Sequence, residues 1–405
     1  MAHLDGLGMF HMELGLSRVA KALSTLGLTR PPYKVAHVVG TNGKGSTSRY
    51  LAEIASAHDL RVGLYSSPHF VTPRERVLVN GCMLSESSWT GLANEVFHAS
   101  GDDGLTYFEF ITVLAVLAFA RAGVDVAVME AGLGGRYDAA NALETDLTVF
   151  TPVGLDHTQI LGDTLDAIAR DKAGAMRPGV LAVTAKQHPE AKSALMDVAA
   201  RLRTALLDGV TAQGAVCPVL APGMLGPHQI ANARLAFAAW KLLTRSMHLS
   251  LDLEACIQGV SQARLPGRFQ CISGEPELIL DGAHNPQALD ALAATLRTEG
   301  IEPQAVIFGC MQDKDLRSMA QQVQSLTQGP IFATGLPDME RAMASGPLAV
   351  ALGERAHGVR DMAEALEHVA SLNGPVLICG SLYLLGEFFA LHPEHLGMHG
   401  PDVSI

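Results

Sequence analysis

Short apolar runs recur along this chain, and several of them end in a glycine-rich loop that leads into a helical pattern. In the first half these runs stand in YKVAHVVG, RVGLYSS, VDVAVMEAGLGG and DLTVFTPVG, with helical stretches such as STSRYLAEIASAHD and FEFITVLAVLAFARAG between them. Strands that alternate with helices in this way form a mainly parallel sheet with helices on both faces. The sequence therefore predicts a doubly wound α/β fold, and such folds bind ligands at the carboxyl ends of their strands.

The pattern restarts after the segment LPGRFQ, residues 265–270, where a Pro-Gly pair could form a hinge. The later strand and helix patterns are PELILDGAHNP, QAVIFGCMQDKD, GPIFATGLP and GPVLICGSLYLLGEFFAL. A chain of 405 residues is also long for a single core. We therefore predict a P-loop-type domain with a doubly wound, mainly parallel sheet over residues 1–266. A smaller C-terminal Rossmann-like α/β domain would follow over residues 267–405, ending in a loose tail from residue 392.

Composition and charge exclude several classes of protein. The net charge is −12 with histidine neutral, which argues against a nucleic-acid-binding protein, since those present a basic face. The longest apolar run, residues 110–120, is too short for a bilayer that needs about 20 residues, and the N-terminus lacks the pattern of a signal peptide. The six cysteines are scattered and form no C-x-x-C pair, which fits a reducing cytoplasm. We expect neither nucleic acid nor membrane among the partners.

The stretch HVVGTNGKGSTSRYLAEI, residues 37–54, is typical of a phosphate-binding loop except in its spacing. In the common pattern G-x-x-x-x-G-K-[ST], a glycine would stand at Val38 and a hydroxyl would directly follow the lysine. Here Gly45 separates Lys44 from Ser46. The glycines could still let backbone N–H groups converge on an anion at a helix N-terminus, while Lys44 neutralises outer phosphates and Ser46 or Thr47 approaches a metal. A glycine-rich turn with a surface lysine is the other interpretation.

Three further strand ends carry side chains that suit a metal. In YSSPHFVTPRERV the Ser67 hydroxyl could face Mg²⁺, although a loop with a turn-setting proline also explains this stretch. In VAVMEAGLGGRYDAAN, Glu130 ends a strand where a metal carboxylate would lie. In TPVGLDHTQI, His157 follows another strand and could ligate a metal through a neutral nitrogen. Each could equally be an ordinary structural side chain.

Basic residues lie near the same strand ends. Arg74 and Arg76 in TPRERV could meet an anion. Lys172 stands in a helical pattern amid small residues, RDKAGAM, with Asp171 beside it. From the residues alone, Lys172 is predicted to be a surface lysine.

The second unit also places polar residues after its strands. Its loops LDGAHNP, CMQDKD and CGSLYLLGE bring these side chains to strand ends: Asp281, His284, Asn285, Asp313, Lys314, Asp315 and Ser381. Each loop alone could be helix capping or turn chemistry. Three such loops at equivalent ends of one sheet predict the wall of a cleft that faces the first domain.

Taken in order, these motifs resemble the folylpolyglutamate synthase/dihydrofolate synthase family within the Mur ligase superfamily. The matching elements are GTNGKGST, SSPHF, YFEF, EAGLGGRYDAAN, LDHTQILG, RDKAG, LPGRFQ, LDGAHNP, MQDKD and CGSLYLLGE, and they run from residue 40 to about residue 387. Ten motifs in one order are far more specific than any one of them. The resemblance implies that the shortened glycine loop is the superfamily's own phosphate loop, with Gly45 inserted as in the folate branch.

The resemblance implies an ATP-dependent amide ligase that forms ADP. In that family, ATP converts a pterin-linked carboxylate into an acyl phosphate, which the amine of L-glutamate attacks. The expected partners are thus small molecules: dihydropteroate, tetrahydrofolate, L-glutamate and ATP, with two Mg²⁺ ions. A cytoplasmic monomer is expected. The transfer depends mainly on positioning and charge neutralisation, which suits the residue types present.

The resemblance also implies roles for individual positions. ATP would contact Gly40, Thr41, Asn42, Gly43, Lys44, Gly45, Ser46, Thr47, Asn232, Arg268 and Asp281. Metal ligands would be Ser67, Glu130 and His157. The pterin would contact Leu14, Thr106, Phe108, Asp138 and Ala139. The glutamate side would be His284 and Ser381. The catalytic set would be Lys44, Glu130, His157 and Lys172. Lys172 matches a lysine that family members carry as a carbamate, which reverses its assignment to the surface.

Alternatives remain within and outside this chemistry. The enzyme could catalyse only the folylpolyglutamate step, although MELGLSRV, residues 12–19, resembles the dihydropteroate-binding segment of bifunctional members. A peptidoglycan-precursor Mur ligase fits less well because of the glycine after Lys44 and the SSPHF loop. A non-catalytic nucleotide-binding relative would be expected to lack some of the four catalytic side chains, and all four are present.

Overall fold

The computed structural model describes residues 4, 6–9, 11–101, 104–213, 217–337, 339–397 and 402–405. Its strands are β1 Lys34–Val39, β2 Val62–Tyr65, β3 Val77–Val79, β4 Cys82–Met83, β5 Val126–Glu130, β6 Leu147–Phe150, β7 Leu181–Thr184, β8 Leu206–Asp208, β9 Gln270–Ile272, β10 Leu278–Leu280, β11 Ala305–Phe308, β12 Ile331–Thr334, β13 Ala356–Val359 and β14 Val376–Cys379.

The helices alternate with these strands along most of the chain. They are α1 Ser17–Thr25, α2 Lys44–Ala57, α3 Glu86–Ser100, α4 Tyr107–Ala122, α5 Thr158–Leu161, α6 Leu165–Ala173, α7 Pro189–Leu202, α8 Gly209–Gln213, α9 Pro227–Ser246, α10 Leu253–Gln262, α11 Pro286–Glu299, α12 Leu316–Ser325, α13 Ser345–Leu352, α14 Met362–Val369 and α15 Leu382–Leu391. Short 3₁₀ helices cover Pro73–Arg76, Ala139–Ala142 and Pro393–Leu396.

The first sheet has the strand order β4-β3-β2-β5-β1-β6-β7-β8. From β2 to β8 all neighbours are parallel, whereas β3 and β4 add an antiparallel edge. Strands β2, β5 and β6 are buried along their whole length, because helices cover both faces of the sheet. The predicted doubly wound, mainly parallel sheet is confirmed.

Apolar side chains pack on both faces of this sheet. One cluster contains Phe110, Phe119 and the other apolar residues of α4, a helix that is buried nearly all round, as its uninterrupted apolar run predicted. The other cluster joins α2 to α9 through side chains such as Tyr50 and Trp240. Thr106 begins α4 as the first residue of a capping box, which places the start of the helix at the carboxyl edge of the sheet.

The second sheet has the order β13-β12-β11-β14-β10-β9. Its strands are parallel except β9, which pairs antiparallel with β10 at one edge. The sheet begins at Gln270, the last residue of the LPGRFQ segment, in which Gly267 adopts a left-handed φ of 66°. The predicted second, smaller α/β unit is therefore confirmed.

The predicted loose tail is wrong for the residues that the structure describes. Residues 393–396 form a 3₁₀ helix, and Val403 forms a parallel bridge with Leu84 at the edge of the first sheet. The Val403 N–H donates to the carbonyl of Met83 at 2.8 Å, and Asp402 pairs with Arg74 at 2.7 Å. An edge strand leaves backbone groups unpaired, and the end of the chain pairs with them here.

No helix in the part of the chain that the structure describes is both long enough and apolar enough to span a bilayer.

The close packing of β2 against α4 predicts opposite effects on stability for two glycine-to-alanine substitutions. A Cβ at Gly63 would lie 2.6 Å from the ring of Phe119, whereas a Cβ at the exposed Gly91 of α3 meets nothing within 4 Å. We expect Gly63→Ala to lower the free energy of unfolding by roughly 1–3 kcal/mol through overpacking. Gly91→Ala should raise it by roughly 0.5–1 kcal/mol through helix propensity. Urea unfolding measures both, and equal effects would contradict this account of the core.

Candidate active site

The carboxyl ends of both sheets face one cavity of about 820 Å³ between the two domains. Its walls include every residue predicted from the sequence to bind ATP, pterin, glutamate or metal, except Thr47. Thr47 is fully buried one turn inside α2. The predicted residues from both domains therefore share one cleft.

Two glycines of the phosphate-type loop lie so close to neighbouring atoms that a larger residue could not replace them. A Cβ at Gly40 would collide with the hydroxyl of Thr151. Gly43 adopts a left-handed φ of 81° before α2, and a Cβ there would lie 2.6 Å from the amide oxygen of Asn232. Asn232 on α9 thus lies directly against the loop, as its predicted nucleotide role requires. The Lys44 ammonium donates to the carbonyl of Thr41 at 3.1 Å.

A chain of side-chain amides supports the loop from α9. Asn232 Nδ2 donates to Oε1 of Gln229 at 3.1 Å, and Gln229 Nε2 donates to the hydroxyl of Ser46 at 3.3 Å. The Thr41 hydroxyl donates to the carbonyl of Gly154 at 3.0 Å. These contacts hold both ends of the loop against neighbouring elements.

Glu130 ends β5 as a buried carboxylate beside the loop. The Ser67 N–H donates to its Oε2 at 3.3 Å, and a Cβ at Gly45 would lie 3.6 Å from both carboxylate oxygens. The inserted glycine therefore keeps the space between the loop and Glu130 open. Burial raises the pKa of Glu130 to about 6, and the positive charge of Lys44 partly offsets this rise.

His157 lies at the same edge with an unusual backbone. It adopts a left-handed φ of 50° immediately before α5. Desolvation at the cavity wall lowers its pKa to about 4, although the charge of Asp156 opposes this, so the ring is neutral at pH 7 and keeps a nitrogen lone pair. A hydroxyl, a carboxylate and a neutral imidazole from Ser67, Glu130 and His157 form a donor set that fits a divalent cation.

The metal prediction depends on ligands of mixed type. Within the described ranges, no three His, Cys, Asp or Glu side chains are grouped closely enough to hold a metal by themselves. The predicted metal set, in which the Ser67 hydroxyl joins Glu130 and His157, stays a prediction.

Lys172 is buried, and its assignment to the surface from the residues alone is wrong. Its side chain reaches under the glycine loop, where Nζ donates to the carbonyl of Gly40 at 2.9 Å. Gly135 lets its loop pack against the backbone of Lys172, since a Cβ there would lie 2.5 Å from the Lys172 carbonyl oxygen. Burial, and then the charge of Lys44, lower the pKa of Lys172 to about 7. A large fraction of this amine is therefore neutral near pH 7.

Asp156 joins the two domains beside His157. Lys314 of the second domain lies 2.6 Å from its Oδ1, and Nε2 of His284 lies 3.7 Å from its Oδ2. Burial opposes ionisation, but the nearby His284 ring and the charge of Lys314 outweigh it, so the pKa of Asp156 lies well below its usual range. Asn42 adds a second contact by accepting from Nδ2 of Asn285 at 3.0 Å.

Four of the five predicted pterin residues lie at the start of α4 and in the glycine-rich loop after β5, and Leu14 precedes α1. Asp138 accepts from the N–H groups of Gly132 at 2.8 Å and Ala140 at 3.0 Å, so its carboxylate shapes this loop. Gly132 is required there because a Cβ would collide with the ring of Phe108. Three further predicted positions line the cavity: Leu14, Thr106 and Ala139. Glu109, which was not predicted, also lines it.

The second domain holds its predicted residues by backbone contacts. Asp281 is half-buried, and its two oxygens accept from the N–H groups of Phe269 and Ala283, each at 2.9 Å. Burial raises its pKa, whereas the charge of Arg268 lowers it. Ser381 caps α15 by accepting from the Tyr383 N–H at 3.1 Å. His284 Nδ1 lies 2.8 Å from the carbonyl of Gly282.

The sequence motifs do not predict three features of this site. These are the pairing of Asp156 with Lys314, the bidentate pair of Arg18 with Glu109 at 3.1 and 2.9 Å, and the burial of Arg76. The first two pairs join residues 158 and 91 positions apart, so no local pattern announces them. For Arg76, the strand-end position of TPRERV was the available signal.

Two domain families match this chain. Residues 38–195 match the Mur ligase middle domain, and residues 267–382 match the Mur ligase, glutamate ligase domain. This pair of domains is that of a Mur-type ligase. The chain belongs to the dihydrofolate synthase/folylpolyglutamate synthase family. It is 34% identical to the Dihydrofolate synthase/folylpolyglutamate synthase of Escherichia coli (strain K12), over 95% of this chain and 92% of that protein.

Two solved structures extend the similarity to three dimensions. E. coli FolC in complex with DHPP and ADP is 32% identical with a TM-score of 0.85, over 97% of this chain and 96% of that one. A bifunctional folylpolyglutamate synthase/dihydrofolate synthase with Mn, AMPPNP and L-glutamate bound is 36% identical with a TM-score of 0.86, over 96% of this chain and 97% of that one. The two-domain α/β architecture is therefore the one that these proteins share.

Burial of Lys172 predicts how stability changes with pH. Its folded pKa of about 7 lies below the ordinary 10.5, so the unfolded state binds more protons between these values and stability rises with pH. We expect the free energy of unfolding of the wild type to rise by roughly 1–3 kcal/mol between pH 7 and 9, relative to Lys172→Met. Urea unfolding in buffer stripped of CO₂ measures this, and parallel pH profiles for the two proteins would contradict it.

Proposed function

We propose that this chain is an ATP-dependent, ADP-forming amide ligase that joins L-glutamate to dihydropteroate and to reduced folates through an acyl phosphate. One observation carries the proposal. A single cleft is lined by the phosphate-type loop, a buried strand-end carboxylate, the predicted pterin residues of the first domain and polar residues of the second. Relatives of this fold bind DHPP with ADP in one structure and AMPPNP, Mn and L-glutamate in another.

The glycine loop would hold the phosphates of ATP. Its backbone N–H groups lie at the start of α2, where the helix dipole favours anions. Lys44 would exchange its contact with the Thr41 carbonyl for the outer phosphates. Asn232, Arg268 and Asp281 would contact the rest of the nucleotide from α9 and the second domain.

Ser67, Glu130 and His157 would hold Mg²⁺, and we propose two such ions in the loaded site. The bound ions would neutralise phosphate charge and polarise the transferred phosphoryl group. Glu130 would then be ionised, since a neighbouring cation favours the charged form of a buried carboxylate.

We propose that Lys172 is carried as a carbamate. The neutral amine attacks CO₂, an N–C bond forms and one proton is released, so a cation becomes an anion. The lowered pKa supplies the neutral amine that this step needs. The buried position next to Gly40 excludes water from the product and directs its charge toward the phosphate end of the cavity.

The reaction would follow from the arrangement of the two substrates. An oxygen of the acceptor carboxylate attacks the γ-phosphorus and ADP leaves; the amine of glutamate then attacks the acyl carbon and phosphate leaves. Thr106 and Phe108 would position the pterin end of the acceptor. His284 and Ser381, across the cleft, would face the incoming glutamate.

The alternatives are separated by one assay. ADP release is measured with L-glutamate and either dihydropteroate or tetrahydrofolate as acceptor. Release with both acceptors supports the bifunctional enzyme, and release with tetrahydrofolate alone supports a monofunctional folylpolyglutamate synthase. A protein that binds ATP but releases no ADP with either acceptor would be a different Mur-type ligase or a non-catalytic relative, and the proposal would be wrong.

We further propose that the protein acts in the cytoplasm as a monomer. All six cysteines are free thiols in the described structure, which suits a reducing compartment. Light scattering at micromolar concentration tests the monomer, and a dimer mass would contradict it.

Lys44 provides a direct test of phosphoryl transfer. We expect Lys44→Ala to lower kcat by at least about 100-fold, because removing charge stabilisation of the transferred group costs on the order of 3 kcal/mol. Thermal unfolding should change little. The control is Lys192→Ala, since Lys192 is an exposed lysine of α7 outside the cavity. Near-normal turnover by a folded Lys44→Ala protein would remove Lys44 from this role.

Lys172 provides a test of the carbamate. Lys172→Ala should be nearly inactive, and small carboxylic acids such as acetate should restore part of its activity by supplying the missing anion. Lys44→Ala serves as the comparison, because an added anion cannot replace a cation. Full activity of Lys172→Ala without any acid, or equal effects of acetate on both variants, would contradict the carbamate.

A further inference from the structure

Arg76 is a buried cation in the wall of the cleft that the proposed reaction leaves without a role. It ends the 3₁₀ helix Pro73–Arg76, and only 5% of its surface is exposed, yet it lines the cavity. A buried guanidinium is costly unless an anion neutralises it.

The direct side-chain contacts of Arg76 are with uncharged rings. Its Nε donates to Nδ1 of His69 at 2.9 Å, and its Cζ lies 5.6 Å from the centre of the Tyr107 ring. Burial, and then the charge of Arg76, lower the pKa of His69 to about 3, so this partner is a neutral acceptor. Among the residues that the structure describes, no carboxylate lies within 4.0 Å of the guanidinium.

Two other cations of the cavity pair with acidic side chains. Lys314 lies 2.6 Å from Asp156, and Arg341 lies 3.7 Å from Asp313. Lys44 belongs to the phosphate loop. Arg76 therefore differs from Lys314 and Arg341 in that no carboxylate of the described residues lies within 4.0 Å of it, although its charge reaches Glu130 and partly offsets the raised pKa of that carboxyl.

The position of Arg76 indicates which anion it would meet. The Ser66 N–H donates to the Arg76 carbonyl at 3.0 Å, which places the residue beside the Ser67 and Glu130 end of the cleft. Its cation–π partner Tyr107 directly follows Thr106 at the predicted pterin pocket. The guanidinium thus lies between the phosphoryl-transfer end and the pterin end, where the glutamyl groups of the reaction must pass.

We propose that Arg76 binds a free carboxylate of a glutamyl group during ligation, through the N–H groups that His69 does not occupy. This inference rests on the proposed function and names a specificity-determining residue for it. Two sources share this chemistry: the incoming L-glutamate, or the non-reacting carboxylate at the glutamyl end of tetrahydrofolate. Dihydropteroate has no such second carboxylate. A planar fork suits a carboxylate better than a point charge does.

Steady-state kinetics of Arg76→Gln and Arg76→Lys test the proposal. The matched control is Arg74→Gln, two residues away, because Arg74 pairs with Asp402 at 2.7 Å and does not line the cavity. Values of KM are measured for ATP, L-glutamate, dihydropteroate and tetrahydrofolate, and thermal unfolding checks the fold. For Arg76→Gln we expect the KM for L-glutamate or for tetrahydrofolate to rise about 10- to 100-fold. The rise should be smaller for Arg76→Lys, and the KM for ATP should not change.

The substrate whose KM changes identifies the source of the carboxylate. A rise for L-glutamate with both acceptors assigns Arg76 to the incoming amino acid, and a rise for tetrahydrofolate alone assigns it to the tail of the acceptor. Either supports the proposal. It is overturned if Arg76→Gln matches Arg74→Gln in every KM, or if the KM for ATP rises equally with the others. If the wild type releases no ADP with glutamate and either acceptor, the proposed function fails first and this inference fails with it.

Discussion

The active cleft depends on how closely the glycine loop approaches its surroundings. Thr151 lies against Gly40, Asn232 lies against Gly43, and the Lys172 ammonium reaches the Gly40 carbonyl from below. Contacts this close leave no space for a Cβ, and they bring a buried amine within reach of a phosphate site. The glycines are therefore a packing requirement of the site as well as a source of exposed N–H groups.

Electrostatics in the cleft follow from the same crowding. The whole chain carries a net charge of −12, yet Lys44, Lys172 and Arg76 line one cavity together with the buried Glu130. Burial penalises the charges of Glu130 and Lys172, which is why the pKa of Glu130 is raised and that of Lys172 is lowered. Anionic substrates and divalent cations would relieve both penalties, so an acidic protein can still attract an acidic nucleotide to one place.

Much of the fold could be predicted because its pattern is local. Apolar strand runs, glycine turns and helical spacing each span only a few residues, and they located the central strands and the helix α4. The short antiparallel strands β3 and β4 gave no such signal, and neither did the return of Val403 to the sheet edge. Those features depend on pairing with distant segments, which a single stretch of sequence does not encode.

The same division holds for the site. Strand-end motifs pointed to Glu130, His157 and the glycine loop, because carboxyl ends of parallel strands meet at one edge. Lys172 was misjudged from its neighbours alone, since its burial is set by Gly40, 132 residues away. The resemblance to the family corrected this assignment because it depends on the order of all the motifs along the chain.

The contacts between the domains lie at the substrate cleft itself, and this links closure to ligand binding. Asn42 of the phosphate loop bonds to Asn285 of the second domain, and Asp156 next to His157 pairs with Lys314. An apolar contact adds to them, since the ring of Phe70 in the SSPHF loop lies 4.8 Å from that of Phe389 on α15. The polar contacts involve groups that phosphates or carboxylates could replace, whereas the apolar one is independent of ligands. Ligands would therefore change the polar contacts between the domains, while the contact of Phe70 with Phe389 would stay.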